Sequence, residues 1–321
     1  MPPDVGTARL SGAVHVRSMR ADDLDSADRV LRLAFATVRG VPDPFGDSDL
    51  VRTRFRAAPE HAWCAEVDGG VVGSVFAARW GSYGVLGPIT VDPGLWDRGI
   101  GGQLLEVVLD AFGRWGLRQA ALFTFADSPK HVGLYQKHGF WPGHLTVVAA
   151  KETDASARAS YVLASATPSD RRTGLLDEIR GLTDEVFPGL DVGREIEAAI
   201  EQGIGDTVLL RRGGALDGIA VCHSGAGSEA GTDTCYVKFA AVRPGEGAGV
   251  RFEALLDAGE AYAAESGLGR LVAGVETGRL DAYRRLLARG FGIERMGLSM
   301  RLRPEAPDLD TPEHYVLDDR R

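Results

Sequence analysis

The chain has few cysteines and no long apolar run. Its three cysteines, Cys64, Cys222 and Cys235, are scattered over 321 residues without the spacing of a metal site or a disulfide framework. No apolar stretch approaches the roughly 20 residues that a membrane-spanning helix needs, and the N-terminal segment MPPDVGTARL lacks the apolar core of a secretory signal. The sequence therefore predicts a cytoplasmic protein with buried free thiols and no membrane partner.

Positive charge is also scarce. The 36 Lys and Arg residues are outnumbered by 45 Asp and Glu, which gives a net charge of −9. Residues 1–150 carry 15 basic and 16 acidic side chains, whereas residues 151–321 carry 21 and 29. A nucleic-acid-binding protein needs a basic surface, so no nucleic-acid partner is expected. The acidic second half is interpreted as a solvated surface or, alternatively, as an attraction for a cationic amine.

Glycine, in contrast, is concentrated at one informative turn. The apolar run Val85–Val91 predicts a strand that ends at Asp92-Pro93-Gly94, and residues 104–112 show apolar positions at helical spacing. Between them lies Arg98-Gly99-Ile100-Gly101-Gly102. Backbone N–H groups at a helix N-terminus lack partners within the helix, and the helix dipole adds positive charge there. The turn therefore predicts a phosphate-binding site.

A second motif lies further along the chain. The stretch Leu134-Tyr135-Gln136-Lys137-His138-Gly139-Phe140 places a tyrosine four residues before Gly-Phe. With the glycine turn, it resembles the acetyl-CoA motifs of the GCN5-related N-acetyltransferase (GNAT) superfamily. The pyrophosphate loop of that superfamily reads Gln or Arg, two variable residues, Gly, one variable residue, then Gly or Ala. Gly99 and Gly101 match its two glycines, whereas Trp96 replaces the Gln or Arg.

The resemblance implies a set of site residues. The backbone and side chains that would hold acetyl-CoA are Ile89, Thr90, Val91, Arg98, Gly99, Ile100, Gly101, Gly102, Ser128 and Lys137. Ser128 stands where the family often has an Asn that contacts the pantetheine arm, and Lys130 is a further cation for the phosphates. Tyr135 would be the general acid that protonates the departing thiolate, because the pKa values of a phenol and a thiol are not far apart.

The general base is left open. The central strand Val85–Val91 contains no carboxylate, so Glu66, His61, Asp127 and a chain of water molecules are the candidates. Gly87-Pro88 in that strand predicts a bulge or a strand edge. The resemblance implies that two parallel strands separate there, so that pantetheine pairs with the freed strand.

Histidines and large aromatic residues give weaker predictions. The spacing of His131, His138 and His144 does not suit helical metal ligands, so no metal is expected. Several aromatic side chains are candidates either for an acceptor pocket or for ordinary packing: Trp63, Trp80, Tyr83 and Trp141.

The chain contains an internal repeat. A shift of 151 residues aligns residues 91–140 with residues 242–291 without a gap, and the identities mark the strand end, the turn, the helix core and the closing Gly-Phe. This pattern predicts a tandem duplication with a linker near Lys151–Ser160. In the alignment, the residues opposite Gly99, Gly101 and Tyr135 are Val250, Phe252 and Leu286. The second copy is therefore expected to have lost the chemistry, unless Gly245, Gly247 and Gly249 form a shifted loop with Tyr283 one helical turn before Leu286.

These observations predict a mixed α+β fold of two tandem GNAT-like domains, each with a mixed, mostly antiparallel twisted sheet flanked by helices. The expected bounds are 12–150 for a catalytic domain that binds acetyl-CoA, 159–303 for a degenerate domain and 304–321 for a C-terminal tail. The tail contains the trio Tyr315-Val316-Leu317, which either docks on a domain or belongs to a disordered segment.

The predicted activity is transfer of an acetyl group from acetyl-CoA to the amine of a small-molecule acceptor by a monomer or homodimer. Three alternatives stay open. The chain is a CoA-binding sensor or scaffold without turnover, or an interaction module that binds no CoA, or an enzyme that resembles mycothiol synthase, in which the second of two domains is the active one.

Overall fold

A computed structural model describes residues 12–320, and within that range the chain forms thirteen strands and eight α-helices. The first half contains β1 (His15–Ser18), α1 (Leu24–Arg39), α2 (Leu50–Ala57), β2 (Ala62–Val67), β3 (Gly70–Trp80), β4 (Tyr83–Val91), α3 (Ile100–Trp115), β5 (Gln119–Thr124), α4 (Pro129–Lys137) and β6 (Trp141–Glu152). The second half contains β7 (Val162–Leu163), α5 (Ser169–Val186), α6 (Gly193–Glu201), β8 (Gly205–Arg212), β9 (Ala215–Ser224), β10 (Thr234–Val242), α7 (Ala248–Glu265), β11 (Arg270–Glu276), α8 (Leu280–Ala288), β12 (Gly292–Arg301) and β13 (Val316–Leu317).

The described strands form one continuous sheet in which the two halves exchange strands. The order across it is β1-β2-β3-β4-β5-β12-β6-β11-β10-β9-β8-β7, and β13 pairs with β10 outside this path. β12 of the second half lies between β5 and β6 of the first, with Leu298 opposite both Thr124 and Leu145. β6 pairs in turn with β11, where Ala150 lies opposite Val272. Main-chain hydrogen bonds therefore join the two halves.

The predicted fold class is confirmed. Each half contains one parallel strand pair, β4 with β5 and β10 with β11, and the other pairs are antiparallel. The predicted strand Val85–Val91 lies within β4, and the residues with helical spacing, 104–112, lie within α3. β6 runs from Trp141 to Glu152, so that it enters the segment predicted as a linker.

The parallel strands of the first half separate after Leu86. Tyr83–Leu86 of β4 pair with Gln119–Leu122 of β5, and Gly87-Pro88 follow directly in β4. The remaining residues of β4, up to Val91, pair with β3 alone among the described strands. A cleft opens between β4 and β5 at the position that the Gly-Pro pair predicted.

Helix α3 fixes the glycine turn beside this cleft. Its buried residues Leu104, Leu105 and Phe112 pack in the core with the apolar side chains of β3 and β4. Burial of each such side chain contributes about 1.5–3 kcal/mol to folding. Gly99 precedes the helix in the left-handed conformation (φ 79°), which L-residues with a side chain rarely adopt. The sequence thus holds the helix N-terminus rigidly at the mouth of the cleft.

The corresponding turn of the second half departs from the ungapped alignment. α7 begins at Ala248, after Gly247 in the same left-handed conformation (φ 76°). Gly247 and Gly249 therefore take the backbone places of Gly99 and Gly101 at the helix start, as in the shifted-loop alternative. The pairing of Gly99 with Val250 is wrong at this turn, because α7 has an additional turn at its N-terminus.

The C-terminal tail is docked rather than disordered over the described residues. Val316-Leu317 forms β13 on β10, and the following residues, up to Arg320, are buried; Arg321 lies outside the described residues. Cys64, Cys222 and Cys235 are buried and free, as expected. Among the described helices, none combines the length and the apolar character needed to cross a membrane.

Candidate functional site

A cavity of about 570 Å³ lies where β4 and β5 separate. Helices α1 and α2 contribute to its lining, together with the N-terminal end of α3 and most of α4. The cavity brings together most of the predicted site residues, namely Ile89, Thr90, Val91, Gly99, Ile100, Gly101, Gly102, Ser128, Tyr135 and Lys137. Arg98 is exposed and is not part of the lining found among the described residues.

The N-terminus of α3 forms one wall of the cavity. Its first turn contains no acidic residue, and no side chain among the described residues caps it. An added Cβ would meet nothing within 4 Å at Gly99, and would only touch Leu134 at 3.4 Å at Gly101. Backbone N–H groups and the positive end of the helix dipole are thus accessible to an anion.

Trp96, which departs from the family pattern, has a structural role at this turn. Its indole Nε1 donates to the carbonyl of Val91 at 2.8 Å and so ties the turn to the end of β4. The ammonium of Lys130 lies 5.0 Å from the Trp96 ring centroid and 2.8 Å from a carboxylate oxygen of Asp97. Lys130 and Lys137 both line the cavity. Of the three cations that the sequence suggested for the phosphates, the two on α4 thus belong to the lining and Arg98 does not.

Tyr135 lies on the helix that faces this wall. Its side chain is buried, with the ring centroid 6.3 Å from that of Phe140 in an edge-on arrangement. Burial raises the pKa of the Tyr135 hydroxyl, so the group keeps its proton at physiological pH. Tyr135 can therefore donate a proton into the cavity but cannot act there as a base.

Within the described part of the chain, the predicted base candidates lie outside the cavity. Glu66 pairs with Arg17 at 2.7 Å, and Asp127 is exposed and absent from the lining. His61 borders a second cavity of about 40 Å³, which is large enough for a water molecule. The two cavities share the lining residues Arg54 and Gly87. Burial lowers the pKa of His61, so its imidazole is neutral at pH 7.

His131 lines the main cavity instead. It lies one helical turn before Tyr135, and its buried Nδ1 has no hydrogen-bond partner within residues 12–320. Burial and, secondarily, the charge of Lys130 lower the pKa of His131, which leaves the ring neutral near pH 7. The i, i+4 spacing of His131 and Tyr135 could have revealed this pair from the sequence, because such residues share a helix face. In the sequence, His131 was considered only as one of three histidines whose spacing does not suit a metal site.

Part of the cavity lining is aromatic. The ring centroids of Phe35 and Phe45 are 5.0 Å apart, and Phe125 lies 6.1 Å from Phe35. Arg54 and Arg295 contribute cations there. Among the described residues, the aromatic side chains expected from the sequence do not line the cavity: Trp63, Trp80 and Tyr83 are buried elsewhere, and Trp141 is half exposed. Packing is therefore the correct interpretation for the three buried ones.

A buried ion network from the second half reaches the cavity lining at Arg54. Arg54 donates to the carbonyl of Gly87 at the strand separation and pairs with Glu229 at 2.8 Å. Lys238 bridges Glu229 (2.5 Å) and Glu195 (3.2 Å). Burial alone would raise the pKa of Glu229, but the charges of Arg54 and Lys238 outweigh it and hold that pKa well below its usual value. No sequence motif indicates this network, since Arg54 and its partners are distant in the chain.

Comparisons with known proteins agree with this geometry. Residues 28–140 match the model of the acetyltransferase (GNAT) family, so the chain carries a GNAT domain and the predicted resemblance is confirmed for this part of it. Proteins of this family transfer acetyl groups from acetyl-CoA to amines. No curated protein sequence matches the chain.

Solved structures match over nearly the whole chain and show the fold. A candidate acetyltransferase from Pyrococcus horikoshii has a TM-score of 0.67 at 17% identity, covering 94% of this chain and 93% of its own. A GCN5-related N-acetyltransferase from Sphaerobacter thermophilus has a TM-score of 0.59 at 16% identity, with 93% and 98% covered. Matches of this extent show that the two-half architecture occurs in other proteins of the fold.

Proposed function

We propose that the first half of the chain transfers an acetyl group from acetyl-CoA to the amine of a small-molecule acceptor, with Tyr135 as general acid. The observation that carries this proposal is the cavity at the strand separation, which places the uncapped start of α3, the freed edge of β4 and a protonated Tyr135 around one space. Its volume of about 570 Å³ falls within the usual range for small-molecule sites.

The residues divide the binding of acetyl-CoA between them. The N–H groups at Gly99–Gly102 hold the pyrophosphate, and Lys130 and Lys137 add positive charge beside it. The main chain of Ile89–Val91 pairs with the pantetheine arm as a neighbouring strand would, and Ser128 contacts the arm from the start of α4. N–H groups of Ile89–Val91 also polarise the thioester carbonyl.

The proposed transfer needs two proton carriers. The acceptor amine attacks the thioester carbon, a C–N bond forms, and the C–S bond breaks. Tyr135 gives its hydroxyl proton to the departing thiolate. The raised pKa of Tyr135 does not oppose this step, because the same apolar surroundings also raise the proton affinity of the thiolate. His131 takes the proton that the amine loses. The small cavity beside His61 offers a water-mediated route as the second candidate.

The lining also bears on the acceptor. Phe35, Phe45 and Phe125 favour an apolar or aromatic body. An acceptor with an apolar or aromatic group beside its amine therefore suits this part of the lining.

A screen of amines against acetyl-CoA, with thiol release as the readout, tests the proposal. Replacement of Tyr135 by Phe should lower the turnover number by about 100-fold or more, with little change in acetyl-CoA affinity, because only the proton donor is lost. Tyr283→Phe on α8 is the matched control, and it should leave turnover unchanged. Binding of CoA without turnover by the parent chain would indicate the sensor alternative, and the absence of any CoA binding in a calorimetric titration would indicate the interaction module.

A further inference from the structure

The C-terminal tail lies in the cleft of the second half that corresponds to the cavity of the first. β13 pairs antiparallel with β10, with Leu317 opposite Ala240 and Val316 opposite Ala241. In the 151-residue repeat, Ala240 and Ala241 correspond to Ile89 and Thr90. The tail backbone thus adds a strand at the edge that the proposed function assigns to pantetheine in the first half.

The tail also covers the second glycine turn. A Cβ added to Gly249 would lie 3.0 Å from the hydroxyl of Tyr315 and 2.7 Å from Nη2 of Arg285. The ring centroids of Tyr315 and Phe252, which lies in the first turns of α7, are 5.2 Å apart. The Arg285 guanidinium lies 5.6 Å from the Tyr315 ring centroid. The side chain of Tyr315 therefore occupies the space beside the start of α7. The corresponding space in the first half is the part of the cavity beside the N-terminus of α3.

Buried polar groups hold the rest of the tail. Arg279, which corresponds to Ser128 in the repeat, is fully buried and donates to the carbonyl of Val316 at 3.1 Å. Tyr236 of β10 donates to Asp319 at 2.9 Å. Arg320 is fully buried and pairs with Glu276 at 2.9 Å and with Asp308 at 3.0 Å. These side chains recognise an extended peptide by its backbone and its charges.

We propose that the cleft of the second half is a peptide-binding site whose resident ligand is the chain's own segment Tyr315–Arg320, seated where a GNAT domain would hold its cofactor. The intact chain then binds one CoA, in the first half. The comparison with pantetheine rests on the proposed function, but peptide binding in the second cleft can be measured without reference to any acetyl transfer.

A trans-complementation experiment tests this site. A chain ending at Thr311 is titrated with a labelled synthetic peptide of residues 312–321, PEHYVLDDRR. The peptide should bind saturably, and a control peptide with Val316→Asp and Leu317→Asp should bind more than about 100-fold more weakly, because both side chains are buried in the cleft. A peptide with the exposed Glu313 changed to Ala should bind like the parent. A folded truncated chain that does not bind the parent peptide would overturn the proposal.

A second measurement covers the case in which the truncated chain does not fold. A protease site inserted into the exposed turn Thr311–Glu313 allows the tail to be cut after folding. Native mass spectrometry should then show the cut fragment still bound, and one CoA at most on the intact chain. Release of the fragment from a chain that stays folded, or two CoA molecules on the intact chain, would each contradict the proposal. Absence of CoA binding with the fragment retained would count against the proposed function alone.

Discussion

The two halves share one fold, but the equivalent cleft is open in the first half and occupied by the C-terminal tail in the second. In the first half, β4 and β5 separate beside an uncapped helix start, and a cavity of about 570 Å³ results. In the second half, β10 receives β13 at the equivalent edge, and Tyr315 covers the glycine turn. Both turns keep a left-handed glycine before the helix. A glycine turn at a helix start therefore identifies a place where a ligand can approach the backbone, but it does not specify which ligand.

The second half also contributes to the first cavity through Glu229. This carboxylate pairs with Arg54, which reaches the carbonyl of Gly87 at the strand separation. The second half therefore supplies a charged group to the first cavity in addition to packing against the first half. Four predictions test the contrast between the halves.

The largest effect is expected from Glu229→Gln. The change removes the carboxylate and leaves the buried charges of Arg54 and Lys238 undercompensated, so it should lower the free energy of unfolding by about 3–5 kcal/mol. The matched control is Glu294→Gln at the exposed pair with Arg270, for which a change of about 0–1 kcal/mol is expected. Denaturant titration measures both, and similar losses in the two variants would contradict the importance of the buried network.

The same substitution predicts a pH dependence. The pKa of Glu229 is held below its unfolded value of about 4.5. Its contribution is therefore present above that unfolded value and is lost as the pH falls through the lower folded pKa. The difference in stability between parent and Glu229→Gln should narrow as the pH is lowered below about 4.5, and a difference that widened would show that the sign is wrong.

A second prediction concerns the base. His131→Gln should lower kcat/KM by about 100-fold at neutral pH, because no neutral imidazole would accept the amine proton. In the parent, protonation of His131 should give an acid limb that lies below pH 6.5, since the pKa of His131 is lowered from that value. His61→Gln, at the separate small cavity, should keep this acid limb. Persistence of the limb in His131→Gln would instead favour the water-mediated route.

A third prediction places one substitution in both halves. Gly101→Glu puts a carboxylate beside the proposed pyrophosphate site, so the KM for acetyl-CoA should rise by about 10-fold while the melting temperature changes little, since acidic residues suit a helix start. Gly249→Glu would displace the end of the Arg285 side chain and the Tyr315 hydroxyl, which lie 2.7 Å and 3.0 Å from the added Cβ. That variant should lower the melting temperature and leave the KM nearly unchanged. If both variants raised the KM equally, the proposal that acetyl-CoA binds only in the first cleft would be contradicted.

Local patterns predicted much of this contrast, and non-local pairing explains what they missed. The strand ending at Val91, the turn at Gly99 and the position of Tyr135 follow from spacing along one short stretch, because each depends on neighbours in sequence. The insertion of β12 between β5 and β6 could not be predicted this way. Apolar alternation shows which face of a strand is buried but does not identify its partner.

The site shows the same division between local and non-local information. His131 lay within reach of sequence reasoning, since it shares a helix face with Tyr135. Glu229 did not, because its partner Arg54 lies 175 residues away and only the fold brings them together. The ungapped alignment paired Gly99 with the wrong residue, because α7 has an extra turn at its start while the helix core downstream stays in register.

The smallest effect is expected for two cations near the N-terminus of α3, Lys130 and Arg98. Lys130→Gln should raise the KM for acetyl-CoA by about threefold at low salt, and high salt should remove the difference, because a half-exposed charge contributes little and is screened. Arg98→Gln should leave the KM unchanged, since Arg98 is exposed outside the lining whereas Lys130 is held against Trp96. Steady-state kinetics at two ionic strengths measure both. If the KM rose more for Arg98→Gln than for Lys130→Gln, Arg98 would be the residue that contacts the phosphates, as the motif indicated.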